Sequence, residues 1–116
     1  MAVGAFLADP GGVTNAGLVK LLRRNGTDWN MSQQINGPAV QYGRFGRSLD
    51  LSHNSSTLVV GALYRSVYIY DYNNVTSLYD WIHTTADVDA REVCVSGDGS
   101  TVGVASMDVY RPAMTA

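Results

Sequence analysis

The stretch GRFGRSLDLSHNSSTLVVGA, Gly43 to Ala62, sets two apolar runs of strand character on either side of a polar turn. In SLDLS, Leu49 and Leu51 stand at i and i+2, the period of a strand with one buried face. Asn54-Ser55 then supplies turn chemistry, and TLVVGA resumes as a second strand that ends in Gly61-Ala62. MAVGA, at the start of the chain, has the same ending. A recurring strand ending asks first for a repeat.

Laying Ser48–Ala62 over Glu92–Ser106 pairs Leu49 with Val93, Leu51 with Val95, Ser52 with Ser96 and Thr57 with Thr101, at a constant offset of 44 residues. In VCVS the apolar residues again alternate, and Gly97-Asp98-Gly99 follows as the turn. SVYIYDY alternates Val67 and Ile69 against Tyr68 and Tyr70, and its β-branched and aromatic content favours a strand. AGLVKLLRRNG has helical spacing through Leu18, Leu21 and Leu22 and a terminal Gly26. It nevertheless matches SVYIYDYNN in the repeat, so a strand is expected there too. Trp29 and Trp81 each close an apolar segment, TDWNMSQQI and LYDWIHT, that completes a unit. Four strands per unit and a period of about 40 to 45 residues predict an all-β protein of β-propeller blades. Each blade is a four-stranded antiparallel sheet, and about two and a half blades are expected, too few to close a ring.

The residues that carry this repeat resemble the FG-GAP family, whose units run from a Phe-Gly pair through a strand, a turn and a second strand to a Gly-Ala pair. Phe45-Gly46 and Gly61-Ala62 match that pattern in full, with SLDLSHNSSTLVV between them. On this resemblance, residues 1–35 are the later strands of a first blade, 45–83 a complete blade and 89–112 a partial third. In the third, Asp89-Ala90 replaces Phe-Gly and Ala105-Ser106 replaces Gly-Ala. The resemblance implies a propeller segment like the blades of integrin α-subunit heads, a non-enzymatic scaffold or interaction module, with cell-surface adhesion as one setting. The alternative is an accessory propeller fragment of a larger enzyme whose catalytic domain lies outside this chain. Some family members hold calcium with alternating Asp and Asn in the turn between the first two strands. Here that turn is SHNSSTL in the full unit and SGDGSTV in the third, so Asp98 is the single candidate ligand. One carboxylate cannot fill six to eight oxygen positions, and no cofactor is expected.

The chain has 116 residues and a formal net charge of -2, with its arginines scattered, so nothing follows a phosphate backbone and nucleic acid is not an expected partner. The longest apolar runs fall well short of the ~20 residues needed for a membrane-spanning helix. The N-terminus shows no signal-peptide pattern. Cys94, the only cysteine, sits in the apolar string VCVS and reads as a buried small hydrophobe. Asn25, Asn30, Asn54 and Asn74 each begin an N-glycosylation acceptor triplet, which points to an extracellular or cell-surface setting as part of a longer secreted chain. His53 and His83 have no second ligand at metal spacing, and no nucleophile motif occurs. The glycine-rich stretch Asp9–Gly17 lies between two strands and reads as a recognition loop or an elongated turn. Asp9 and Asn15 in it, and Tyr64 and Arg65 in the next such connection, are the expected contacts for a protein or glycan partner. The tyrosines of LYRSVYIYDY, three of them on one strand face, read as packing between blades, with sugar stacking or a partner-protein contact as the alternative.

Overall fold

The computed structural model describes residues 1–62, 66–86 and 92–105. Within them the strands are β1 (Ala2–Ala5), β2 (Leu18–Asn25), β3 (Asp28–Asn36), β4 (Ser48–Leu51), β5 (Thr57–Ala62), β6 (Ser66–Asn73), β7 (Leu78–Ala86), β8 (Glu92–Val95) and β9 (Val102–Ala105). They form three antiparallel sheets in chain order, β1-β2-β3, β4-β5-β6-β7 and β8-β9, which do not close on one another. The segment with helical leucine spacing is strand β2. Val19 and Leu21 face the core while Lys20 between them is exposed, and Gly26, at φ 65°, lets the chain reverse tightly into β3.

The four-stranded sheet lies between the other two, so all six residues of β5 are buried. Leu58, Val60 and Ala62 pack toward the first sheet with Val19, Leu21, Phe45 and Tyr70. Val59 points the other way and joins Val67 and Ile69 against Val102 and Val104 of the third sheet. Full burial of each such aliphatic side chain contributes about 1.5–3 kcal/mol. The tyrosines follow the same alternation. Tyr68 meets Phe45 edge to face at 5.2 Å, Tyr70 is buried in the first cluster, and Tyr72 meets Tyr79 edge to face at 5.1 Å. They pack toward the first sheet, as the sequence suggests.

The joint between the first two sheets is the Phe45-Gly46 dipeptide. Phe45 bridges Gly17 in parallel fashion, its N–H donates to the Ala16 carbonyl at 2.9 Å, and its side chain is 1% exposed. Gly46 has φ +90°, and its N–H donates to the Gly61 carbonyl at 3.1 Å. A Cβ on Gly46 would sit 2.8 Å from the Leu18 carbonyl oxygen, and a Cβ on Gly4 would fall on the Gly46 carbonyl. The Gly-Ala ending of β1 is thereby explained. Gly4 lets the backbone of the next unit pass against β1, and Gly61 binds that same backbone from the other side.

One feature repeats that no residue pattern announces. The β2-β3 ladder shifts register between Leu21 and Leu22, leaving Ser32 unpaired, and the β6-β7 ladder shifts between Ile69 and Tyr70, leaving Ile82 unpaired. Each bulge lies four rungs from its hairpin and twists the outer strand, which discourages edge pairing. Gln33 of β3 crosses to the outer edge of β7, donating from Nε2 to the Tyr79 carbonyl (3.1 Å) and accepting the Tyr79 N–H at Oε1 (2.7 Å). Asp50 of β4 joins the second sheet to the third by accepting the Val95 N–H at Oδ2, 2.9 Å.

Two sequence expectations need correction. Trp29 and Trp81 are not equivalent: the rung next to each hairpin end pairs Arg24 with Trp29 in the first sheet but Tyr72 with Tyr79 in the second, so Trp81, opposite Tyr70, stands two rungs further along. Both indoles are exposed, at 48% and 59%. Cys94 is exposed, because β8 turns Val93 and Val95 toward the middle sheet and presents Cys94 on the face away from it. Asp89-Ala90 lies outside the described residues.

Phe45→Ala is expected to lower stability by about 3–5 kcal/mol through lost burial and cavity formation, and Gly46→Ala by about 1–3 kcal/mol or more through overpacking. Arg47→Gln stays within about 0.5 kcal/mol. Urea denaturation of the three variants checks this order. Burial and the neighbouring Tyr68 push the Tyr70 phenol up to about 12 from 10.0. The folded state therefore resists Tyr70 ionisation, and that contribution, full below pH 10, is lost as pH rises through about 12. Thermal melts across this range should show a steeper decline for the native chain than for Tyr70→Phe.

Candidate functional site

The stacked sheets have two ends of different character. At one end lie the β1-β2 connection, the segment between β3 and β4, and the junction of Ala62 with Ser66, brought together by the Gly17–Phe45 bridge. At the other end lie the tight turns β2-β3, β4-β5, β6-β7 and β8-β9. The His53 N–H donates to the Gly97 carbonyl at 3.0 Å, tying two of these turns together.

The predicted recognition loop is at the first end and is braced throughout. One turn of 3-10 helix spans Pro10–Gly12, the Asn15 N–H donates to Asp9 Oδ1 at 2.8 Å, and Gly17 N–H donates to the Ala8 carbonyl at 3.0 Å. Tyr42 N–H and Arg44 N–H in turn donate to the carbonyls of Thr14 and Asn15, both at 2.8 Å. Asp9 and Asn15 are thus partners in one rigid loop, with Asp9 exposed at its rim. Asn15 adopts φ 51°, a left-handed conformation that asparagine tolerates well. Tyr64 and Arg65 lie outside the described residues. Near this loop, Arg44 Nε is buried without a hydrogen-bond partner.

All four acceptor asparagines fall at the turn end and are exposed: Asn25 at the β2-β3 turn, Asn30 early in β3, Asn54 in the β4-β5 turn and Asn74 in the β6-β7 turn. The β4-β5 and β8-β9 turns are built alike. Ser52 Oγ and Ser96 Oγ each accept the N–H of the first residue of, or just before, the next strand, Thr57 and Thr101, both at 3.0 Å. Asn54 Oδ1 and Asp98 Oδ1 each accept the N–H two residues on, from Ser56 at 3.1 Å and Ser100 at 3.0 Å. These side chains close the turns locally. The Ser100 hydroxyl, its N–H and the Ser96 hydroxyl hold the Asp98 carboxyl down to about 2, below its ordinary 3.8. Asp98 thus serves its own turn, whose neutral counterpart is Asn54.

Between the β2-β3 hairpin and the β4-β5 turn lies a groove of about 270 Å3, lined among others by Arg23, Arg24, Trp29, Asn54, Tyr72 and Tyr79. Arg23 Nη2 donates to the Tyr72 hydroxyl at 2.6 Å, and Tyr79 Oη donates to the Ser55 carbonyl at 2.6 Å. Arg24 lies over the Trp29 ring, 5.9 Å from its centroid, and donates from Nε to the Gly26 carbonyl. The Ser77 hydrogen bond and then Arg23 lower the Tyr72 phenol below its ordinary value. Sequence reasoning missed this groove because its walls come from four separate segments, Met1, the β2-β3 hairpin, the β4-β5 turn and the β6-β7 hairpin. The only local signal is the pair of arginines and the tryptophan flanking one Asn-Gly turn.

An all-β protein of stacked antiparallel sheets is the class these features define. No family model matches the chain, and no curated protein matches it.

Asp98 contributes to folding above its ordinary value, and that contribution is lost as pH falls from 3.8 toward about 2. Asp98→Asn, which keeps the acceptor of the Asn54 turn, should flatten the acid decline of the melting temperature in this window. An unchanged acid profile would show that the turn bonds do not persist in solution.

Proposed function

We propose that the chain is a segment of an FG-GAP-like β-propeller and acts as a non-catalytic scaffold for recognition of a protein or glycan. The observation that carries this reading is the recurrence of one construction in successive sheets. The same meander, the same bulge in the outer strand and the same serine-closed turn return at matching positions. Repeats that contact mainly their neighbours form stacked arrays of this kind. The Phe-Gly and Gly-Ala pairs that carry the family resemblance also interlock between adjacent sheets, which gives the motif a steric purpose here.

Recognition on this reading belongs to the loop end. A braced loop on rigid strands presents its side chains with little entropic cost on binding. Asp9 and Asn15 are the contacts expected of this loop, together with Tyr64 and Arg65, which lie outside the described residues. The four acceptor asparagines at the other end suit an extracellular setting, since glycans there leave the loop end clear.

A propeller sheet is covered on both faces, so the outer face of β8-β9, which bears Cys94, should take a further sheet. The test is light scattering with size exclusion, combined with thiol labelling of Cys94. Discrete self-association that slows labelling as concentration rises supports the propeller. A soluble monomer with Cys94 freely reactive at every concentration counts against it.

A further inference from the structure

We infer that the groove at the turn end is a binding site for an acidic sugar, through a carboxylate or sulfate group held by Arg23 and Arg24. The inference rests on the groove and not on the propeller reading. Three observations carry it. First, the groove-lining residues include two arginines and no carboxylate, although the chain as a whole is acidic. Neither arginine forms an ion pair among the described residues, so both charges remain available. Second, each guanidinium is already positioned. The Tyr72 hydroxyl holds Arg23 and the Gly26 carbonyl holds Arg24, which lowers the ordering cost of binding an oxyanion and leaves further N–H donors on both. Third, the remaining wall combines Trp29, Tyr72 and Tyr79 with Asn54, whose amide oxygen closes its own turn. Aromatic carbon with amide and hydroxyl groups suits the mixed apolar and hydroxylated surface of a sugar ring. A volume of about 270 Å3 has room for a monosaccharide unit.

The test uses the full chain, free of glycan at Asn54, titrated with glucuronic acid, its methyl ester, glucose 6-sulfate and inorganic sulfate, followed by NMR of the Trp29 indole and backbone amides. The expected result is saturable shifts at Trp29, Asn54 and Tyr79 with glucuronic acid or glucose 6-sulfate. Which of the two binds more tightly identifies the anion. The ester should bind about tenfold more weakly, as loss of a charge-assisted hydrogen bond requires. Arg23→Gln and Arg24→Gln should each weaken binding by about the same factor, and added salt should weaken it further. Both arginines are exposed, so these variants should fold, which circular dichroism verifies. Arg47→Gln, remote from the groove, should bind as the native chain does. The inference is overturned if no sugar shifts the groove residues, if the ester matches the acid, if inorganic sulfate binds as tightly as the sugars, or if folded arginine variants bind undiminished.

Discussion

The structure depends on one steric constraint, the passage of Phe45-Gly46 between two sheets with no room for a side chain at the crossing. Gly4, Gly17 and Gly46 each face backbone where a Cβ would collide. Only glycine permits so close an approach, and Gly46 also needs a left-handed conformation. Phe45 then fills the space that the glycines leave beneath it, making the crossing a packed joint. The first cluster assembles around it, with Val19 and Leu21 on one side and Leu58, Val60 and Ala62 on the other. The middle sheet can be covered on both faces because this joint sets the distance between it and its neighbour.

Polar groups reinforce the same stacking at other depths. Gln33 satisfies both edge groups of Tyr79, and Asp50 accepts a backbone donor from β8. Each ties adjacent sheets through a side chain that acts on the partner's backbone, so the ties depend on strand position more than on partner identity. The serine-closed turns have a different task. They satisfy their own backbone locally and leave the turn end free to carry exposed asparagines and the arginine groove. The loop end is braced by backbone bonds to the segment before β4, and the turn end is closed by side chains. The two ends are therefore available for different interactions.

Much of the fold was legible because the repeat overrode local ambiguity. The helical spacing of Leu18, Leu21 and Leu22 would mislead a purely local reading, and the match to SVYIYDYNN corrected it. The pairing of Ser52 with Ser96 and of Thr57 with Thr101 was visible as identity, and its cause is a shared turn hydrogen bond. The Trp29 and Trp81 match failed because tryptophan was read as the marker when the hairpin end sets the register. Cys94 failed for another reason. Alternation within a strand tells which residues share a face, but not which face a neighbouring sheet covers.

The amino-acid sequence by itself determined the strand order, the turn chemistry and the Phe-Gly and Gly-Ala pairs, because these rest on local conformational preference and on a period that repeats. Tertiary structure alone decided where the backbones cross, the bulge positions, the exposure of Cys94 and the union of Arg23, Trp29, Asn54 and Tyr79 around one groove. Those features arise from contacts between sheets, where residues distant in the chain meet, and no local periodicity encodes such a meeting.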